Sequence, residues 1–175
     1  IFRKPTLPCS TKIITDISKK RCFYRIEETI KQPPQWNAHL HLAMAPTKNM
    51  DRTEWFAEKA TEIGFNELTF LNCRFSERRV IKSERIEKIL ISAVKQSHKA
   101  EKPVLNEMIS FTDFIKNVSA EDKFICHCYS EPELGEKRVL RDVLNKGKST
   151  VVMVGPEGDF SIDEVKAALD CGFKS

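Results

Sequence analysis

No stretch of this 175-residue sequence approaches the roughly 20 consecutive apolar residues that a membrane-spanning helix requires. Its opening, IFRKPTLPCS, lacks the apolar centre of a secretory signal, so the cytoplasm is the expected compartment. Glycines number only six and follow no repeat, which excludes collagen-like and low-complexity architectures. The Walker A pattern is missing, and with it the phosphate cradle of that motif. Six cysteines are present (Cys9, Cys22, Cys73, Cys126, Cys128, Cys171), but only Cys126-His127-Cys128 brings ligand types close together. Zinc sites use two close ligand pairs and disulfide frameworks use regular spacings, so neither is expected and no metal is assigned.

What is present is an ordinary globular composition, with 41% hydrophobic and 31% charged residues, enough for one domain or one domain with a small appendage. The net charge of +4 is unevenly placed: residues 1–31 and 74–102 carry +5 each, while 32–73 carry −2 and 103–175 carry −4. Two basic blocks around a neutral body suggest a polyanionic partner, although a basic segment is also the ordinary form of a solvated face.

From about Ala38 the hydrophobic pattern alternates regularly. A strand over Ala38–Ala45 leads to a helix over Asp51–Ile63, with Phe56, Ala60 and Ile63 on one face and Gly64 as its stop. A strand over Leu68–Cys73 follows. The strongest helix spans Ser83–Ser97, with Ile86, Ile89, Leu90, Ala93 and Val94 in one stripe and Arg85, Lys88, Lys95 and Lys99 opposite. Next come a weak strand near Val104–Ile109, a short helix from Phe111, a strand over Phe124–Tyr129 and a helix over Arg138–Asn145. Thr150–Val154 is a continuous apolar run of the kind buried on both faces in a parallel sheet. Ser161 and Glu164 form a capping box that opens a last helix, with Ile162, Val165, Ala168 and Leu169 as its apolar positions and Gly172 as its stop.

Five strand–helix units indicate an α/β fold with a parallel sheet covered by helices, whose ligands bind at the carboxyl ends of the strands. Residues 1–34 do not share this rhythm. Ile13–Ile17 and Cys22–Ile26 read as short strands of a separate β module, which ends at Pro33-Pro34 before a main domain over 35–175.

The loop Gly155-Pro156-Glu157-Gly158-Asp159-Phe160 is the leading site candidate. Its glycines permit close backbone approach, whereas its two carboxylates oppose a phosphate and suit a ligand with hydroxyls or positive charge. The plainer reading is a tight strand-to-helix turn without a ligand. His127, Cys128, Tyr129, Ser130 and Glu131 end a neighbouring strand and form a facing wall. Covalent catalysis by Cys128 is disfavoured, because strand alternation points His127 to the opposite face. Arg74-Phe75-Ser76-Glu77-Arg78-Arg79 joins cations with one aromatic, as RNA backbone contacts and base stacking require, or it is an ordinary polar loop. For Gln96 and His98 a plain surface position is the simpler reading.

Taken in order, Lys48 with Asp51-Arg52-Thr53-Glu54-Trp55, Glu58-Lys59-Ala60-Thr61-Glu62-Ile63-Gly64, Ser76-Glu77-Arg78, Gln96-Ser97 with Pro103, and Val154-Gly155-Pro156-Glu157-Gly158 resemble the ribosomal RNA small subunit methyltransferase E family over residues 38–175. The resemblance implies a SPOUT-type parallel sheet flanked by helices with a C-terminal trefoil knot. It also implies a PUA-like β module in front, partial here at 1–34, and a homodimer. The knot's last pass, a strand and a Leu/Arg/Thr/Glu-rich loop, is expected beyond Gly172-Phe173-Lys174-Ser175, and Asp159 stands where the family more often has a second glycine. The implied activity is S-adenosylmethionine-dependent methylation of uridine N3 in 16S small-subunit rRNA, probed on bare RNA or on the assembled subunit. On this resemblance Cys128, Tyr129, Gly155, Pro156, Glu157 and Gly158 hold the cofactor, and Arg74, Arg78, Arg79, Lys95, Gln96 and Lys99 contact RNA. No residue is assigned as the group that activates N3. Two other classes remain: a non-catalytic RNA-binding module on the same fold, and an α/β enzyme acting on a small nucleotide, which leaves both basic blocks unexplained.

Overall fold

A computed structural model describes residues 9–30, 37–134 and 136–175. Residues 9–30 form an antiparallel hairpin, β1 (Cys9–Ile17) and β2 (Cys22–Ile30), with register irregularities at Thr11/Lys12 and Ile14/Asp16. Every residue of β2 is exposed. Both strands expected in this region are present, and each is longer than the apolar pattern suggested. The boundary placed at Pro33-Pro34 lies outside the described residues.

The remainder is a parallel sheet in the order β5-β4-β3-β8-β7, built from β3 (Leu40–Met44), β4 (Glu67–Asn72), β5 (Val104–Leu105), β7 (Asp122–Cys126) and β8 (Thr150–Val154), with β6 (Ile109–Ser110) also paired to β4. Central β8 runs between β3 and β7, buried from Thr150 to Met153, as its unbroken apolar run requires. Alternation along the strands sorts the core into two layers. Ala43, Leu71, Ile125, Val151 and Met153 face α3 (Phe111–Asn117) and α5 (Ile162–Asp170), together with Phe111, Phe114, Val165 and Ala168. Met44, Leu68 and Phe70 face α1 (Met50–Ile63) and α2 (Ser83–Gln96), together with Ala57, Ile86 and Leu90. The fold is thus an α/β sheet flanked by helices on both faces. Among the described residues, no helix is long and apolar enough to cross a membrane.

Several expectations are corrected. The first strand of the sheet is Leu40–Met44, shorter at both ends than Ala38–Ala45. The buried face of α1 is Thr53, Ala57 and Thr61, not Phe56, Ala60 and Ile63; Phe56 and Ala60 are half-buried and Ile63 is 79% exposed. Small residues let this helix approach the sheet closely, and the Thr61 hydroxyl is satisfied by donating to the Ala57 carbonyl at 2.6 Å. Ile162 is exposed at the start of α5. The weak strand near Val104–Ile109 is split into β5 and β6, because Asn106 turns its amide to Glu67 Oε1 (2.7 Å) and Thr69 Oγ1 (2.8 Å). The helix expected over Arg138–Asn145 is a single turn, α4 (Leu140–Val143), preceded by a 3-10 turn over Pro132–Leu134. No residue of α4 is buried, so no packed face extends it. β7 ends at Cys126, three residues before the expected Tyr129.

After α5, Gly172 adopts φ 85 and reverses the chain. Phe173 is buried, and Lys174 then runs parallel to β7: its N–H donates to the Lys123 carbonyl and its carbonyl accepts from Ile125, both at 2.9 Å.

Candidate functional site

Four strands deliver their carboxyl-end loops to one rim of the sheet: residues 45–49 after β3, 73–82 after β4, 127–131 after β7 and 155–160 after β8. Parallel pairing forces this, since every strand ends at the same side. The last rung of β7 and β8, Cys126 opposite Val154, is exposed although the strands beneath it are buried. An apolar step therefore lies open beside the loops.

The loops are tied together by hydrogen bonds that cross between them. The Lys48 N–H donates to Glu157 Oε1 at 2.9 Å, and the Lys48 ammonium pairs with Glu77 Oε2 at 2.8 Å, which keeps it more basic than an ordinary lysine. Arg78 Nη2 donates to the Lys48 carbonyl at 2.8 Å, while its buried Nε has no partner among the described residues. The Cys128 N–H donates to Asp159 Oδ2, and the Tyr129 hydroxyl donates to the Phe160 carbonyl, both at 2.7 Å. Glu164 closes the capping box with Ser161 and also accepts the Arg74 N–H at 2.8 Å, fixing the loop after β4 to the start of α5.

Gly155 is required by packing: a Cβ there would lie 3.1 Å from both the backbone nitrogen and the ring of fully buried Phe160. Gly158 is looser, its Cβ meeting Phe75 Cβ at 3.3 Å and Cγ at 3.9 Å. The exposed Glu157 and Gly158 backbone N–H groups donate to no protein acceptor among the described residues. They are free to meet a ligand's hydroxyl or ring nitrogen.

His127 and Tyr129 at the rim are both held toward their neutral forms. Burial, aided by Lys137, pushes the His127 pKa down, and His127 Nε2 lies 2.8 Å from Ser175 Oγ. Burial, then the negative charges of Asp159 and Glu131, push the Tyr129 phenol up. Because β7 ends at Cys126, residues 127–129 are loop, and strand alternation does not set where His127 points. Cys126, though exposed as a residue, has its thiol pushed up by desolvation, and buried Cys73 is pushed up to about 12, chiefly by desolvation and then by Glu164. Both thiols are poor nucleophiles at neutral pH.

Cys128, Tyr129, Gly155, Pro156, Glu157 and Gly158 therefore share one rim, with Arg74 and Arg78 on the adjoining loop. Exposed Arg79 lines a groove of about 380 Å³ beside Arg74, Ser110 and Asp163. Lys95, Gln96 and Lys99 are elsewhere. They sit at the far end of α2, where the Lys99 ammonium donates to the Ile63 carbonyl at 3.3 Å, a helix length of roughly 20 Å from Ser83. Sequence reasoning missed the clamps made by Asp159, Glu157 and Glu164. Spacing cannot show them, because each partner lies 31, 109 or 90 residues away in the chain. Among the described residues no three His, Cys, Asp or Glu side chains gather to hold a metal.

Comparison with known proteins bears on this rim. The family described as RNA methyltransferase domain matches residues 34–175. The ribosomal RNA small subunit methyltransferase E of Rickettsia conorii is 29% identical over 154 residues, which cover 87% of this chain and 61% of that protein. The chain thus spans about three fifths of the length of this curated relative. A probable rRNA-methyltransferase from Porphyromonas gingivalis is 36% identical and superimposes with a TM-score of 0.84, covering 93% of this chain and 68% of that one. A putative methyltransferase from Legionella pneumophila, in complex with the bound cofactor SAM, is 25% identical with a TM-score of 0.82, covering 94% and 67%.

Proposed function

Because this chain belongs to the RNA methyltransferase domain family, we propose that it transfers a methyl group from S-adenosylmethionine to N3 of a uridine in 16S small-subunit rRNA. The observation that carries the reading is the meeting of the Gly155–Phe160 and Cys128–Tyr129 loops at one rim, locked by the Asp159 and Tyr129 hydrogen bonds. The residues present fit the cofactor. The free Glu157 and Gly158 N–H groups suit its hydroxyls and ring nitrogens, the open Cys126–Val154 rung suits its apolar surface, and the carboxylates tolerate its positive charge.

When bound, the cofactor supplies an activated methyl group on a positively charged sulfur. The chain's own part is to hold that group and to aim the uridine at it, which is where most of the acceleration of a bimolecular transfer arises. On this reading exposed Arg79, and Arg74 on leaving its 3.6 Å pair with Asp163, hold RNA phosphates at the adjoining groove. The uridine must lose its N3 proton, and an adjacent cation favours the anion so formed. Cytoplasmic action on the small subunit, a homodimer, a knotted C-terminal passage and a PUA-like role for the exposed β1–β2 hairpin complete the proposal.

The test is transfer of labelled methyl from S-adenosylmethionine to small ribosomal subunits and to naked rRNA, using the protein with whatever flanking sequence its gene encodes, and identifying the product base. N3-methyluridine at one site supports the proposal. Tight RNA binding without transfer to either substrate refutes it in favour of a non-catalytic RNA-binding module.

A further inference from the structure

The two carboxylates of the Gly155–Phe160 loop are employed differently, and Asp159 is the one that links two walls of the rim. Its backbone sits at φ 64, in the left-handed region that glycine usually occupies. Aspartate tolerates that conformation because its short side chain can bond locally. One carboxylate oxygen accepts the neighbouring Phe160 N–H at 2.7 Å, and the other accepts the Cys128 N–H, also at 2.7 Å, from the loop after β7. Among the described residues no lysine or arginine pairs with this carboxylate. Its negative charge is felt by both His127 and Tyr129, where it favours the protonated forms. It is therefore a charge fixed by two backbone amides and left without a counter-ion at the rim.

We propose that Asp159 is a positioning residue of the proposed cofactor site: it clamps the Cys128–Tyr129 wall to the Gly155–Gly158 loop and presents a fixed negative charge that favours a cationic sulfonium over its neutral thioether product. The inference rests on the reading that S-adenosylmethionine binds between these loops. It makes the site self-clearing, since loss of the methyl group removes the ligand's positive charge and with it one attraction.

Calorimetric titration of S-adenosylmethionine and of S-adenosylhomocysteine into the wild type, Asp159→Asn and Asp159→Gly tests the charge, and amide hydrogen exchange at Cys128 without ligand tests the clamp. Asparagine keeps the backbone conformation and one acceptor but removes the charge. One of the two backbone bonds is lost with the charge, so both ligands weaken, but S-adenosylmethionine should weaken about fivefold to tenfold more than the thioether, the size of one partly solvated charge pair. Glycine should weaken both ligands and speed Cys128 exchange at least about tenfold while β8 stays protected. An unchanged affinity ratio in Asp159→Asn overturns the charge role, and unchanged Cys128 exchange in Asp159→Gly overturns the clamp. If the wild type binds neither ligand, the functional reading fails and takes the charge role with it, while the exchange measurement still decides the clamp.

Discussion

Gly155→Ala and Gly158→Ala are the same chemical change three residues apart in one loop, and the structure assigns them different costs. A methyl group at 155 meets Phe160 N and Cδ2 at 3.1 Å and Cε2 at 3.2 Å. None of these can retreat. The Phe160 ring is fully buried, 5.3 Å from the Phe111 ring, its nitrogen donates to Asp159, and its carbonyl accepts the Tyr129 hydroxyl. Overpacking of a fixed core costs about 1–3 kcal/mol, offset by about 0.4–1 kcal/mol because alanine restricts the unfolded chain. The net loss at 155 is about 1–2 kcal/mol, or roughly 2–8 °C in Tm for a domain of this size. At 158 the methyl group meets Phe75 alone, Cβ at 3.3 Å and Cγ at 3.9 Å; Cβ moves only with its backbone, but Phe75 sits on an exposed loop and needs to give by only a few tenths of an ångström. The push and the unfolded-state gain nearly cancel, leaving about 0.5 kcal/mol or less. Urea unfolding followed by far-ultraviolet circular dichroism, with equal m-values as the check that only stability changed, measures both. Equal losses at the two positions, or none at 155, refute the claim that Gly155 is required by Phe160.

Asp122 is buried, accepts from Asn145 Nδ2 at 2.7 Å and from the Lys174 ammonium at 3.2 Å, and has its pKa held below the ordinary 3.8 first by Asn145 and then by Lys174, against the opposing effect of burial. A depressed folded pKa contributes stability that is complete above the unfolded value and is lost as pH falls through the folded one, so Asp122→Asn should cost about 1–3 kcal/mol at pH 7 and flatten the acid limb of stability below about pH 4. An unchanged acid limb in thermal melts from pH 7 to 2 contradicts this. In native protein at pH 8, iodoacetamide followed by peptide mass spectrometry should label exposed Cys22 and Cys128 first, Cys126 more slowly, and Cys73, its thiol pushed up to about 12, only after unfolding; early labelling of Cys73 contradicts its burial.

The parts of the fold legible in the sequence are those where local and tertiary forces agree. Thr150–Val154 was readable because a central parallel strand must be apolar on both faces, and the Ser161–Glu164 box because capping is a local event. The stripe of α2 stands as read, since its apolar side is also its packed side. Helix α1 misleads because its contact face is made of small and hydroxylated residues, while Ile63 and Trp55 are 79% and 63% exposed. β7 misleads because apolar residues persist into a loop: Tyr129 lies beyond the strand, and its hydroxyl is held by Phe160 rather than by a ladder. At the site, the loop after β8 was legible from its two glycines. The packing reason for Gly155 was not, because it lies in the ring of Phe160, which no local pattern shows to be pressed against it.

The six basic and amide positions assigned to RNA do not form one surface, and that divides their contributions. Arg74 and Arg79 share the rim groove, whereas Lys95, Gln96 and Lys99 lie at the other end of α2, a helix of roughly 20 Å that starts at Ser83. At physiological ionic strength the Debye length is about 8 Å, so on the proposed function the two clusters would meet RNA phosphates separately rather than as one field. Lys95 and Lys99 can then add affinity but cannot orient a base at the rim. Replacing both by alanine should lower the salt dependence of RNA binding by about 1.4 to 1.8 in slope and leave single-turnover methyl transfer at saturating RNA unchanged. Arg78 is the converse case. Its guanidinium already donates to the Lys48 carbonyl, and Lys48 in turn binds Glu157 through its amide and Glu77 through its ammonium. Arg78→Ala therefore removes one of three ties that hold the loop after β3 at the rim, and should depress single-turnover transfer while changing the salt slope by much less than one. A full unit of slope lost at Arg78, with the rate intact, would make it a phosphate contact and remove it from the loop clamp.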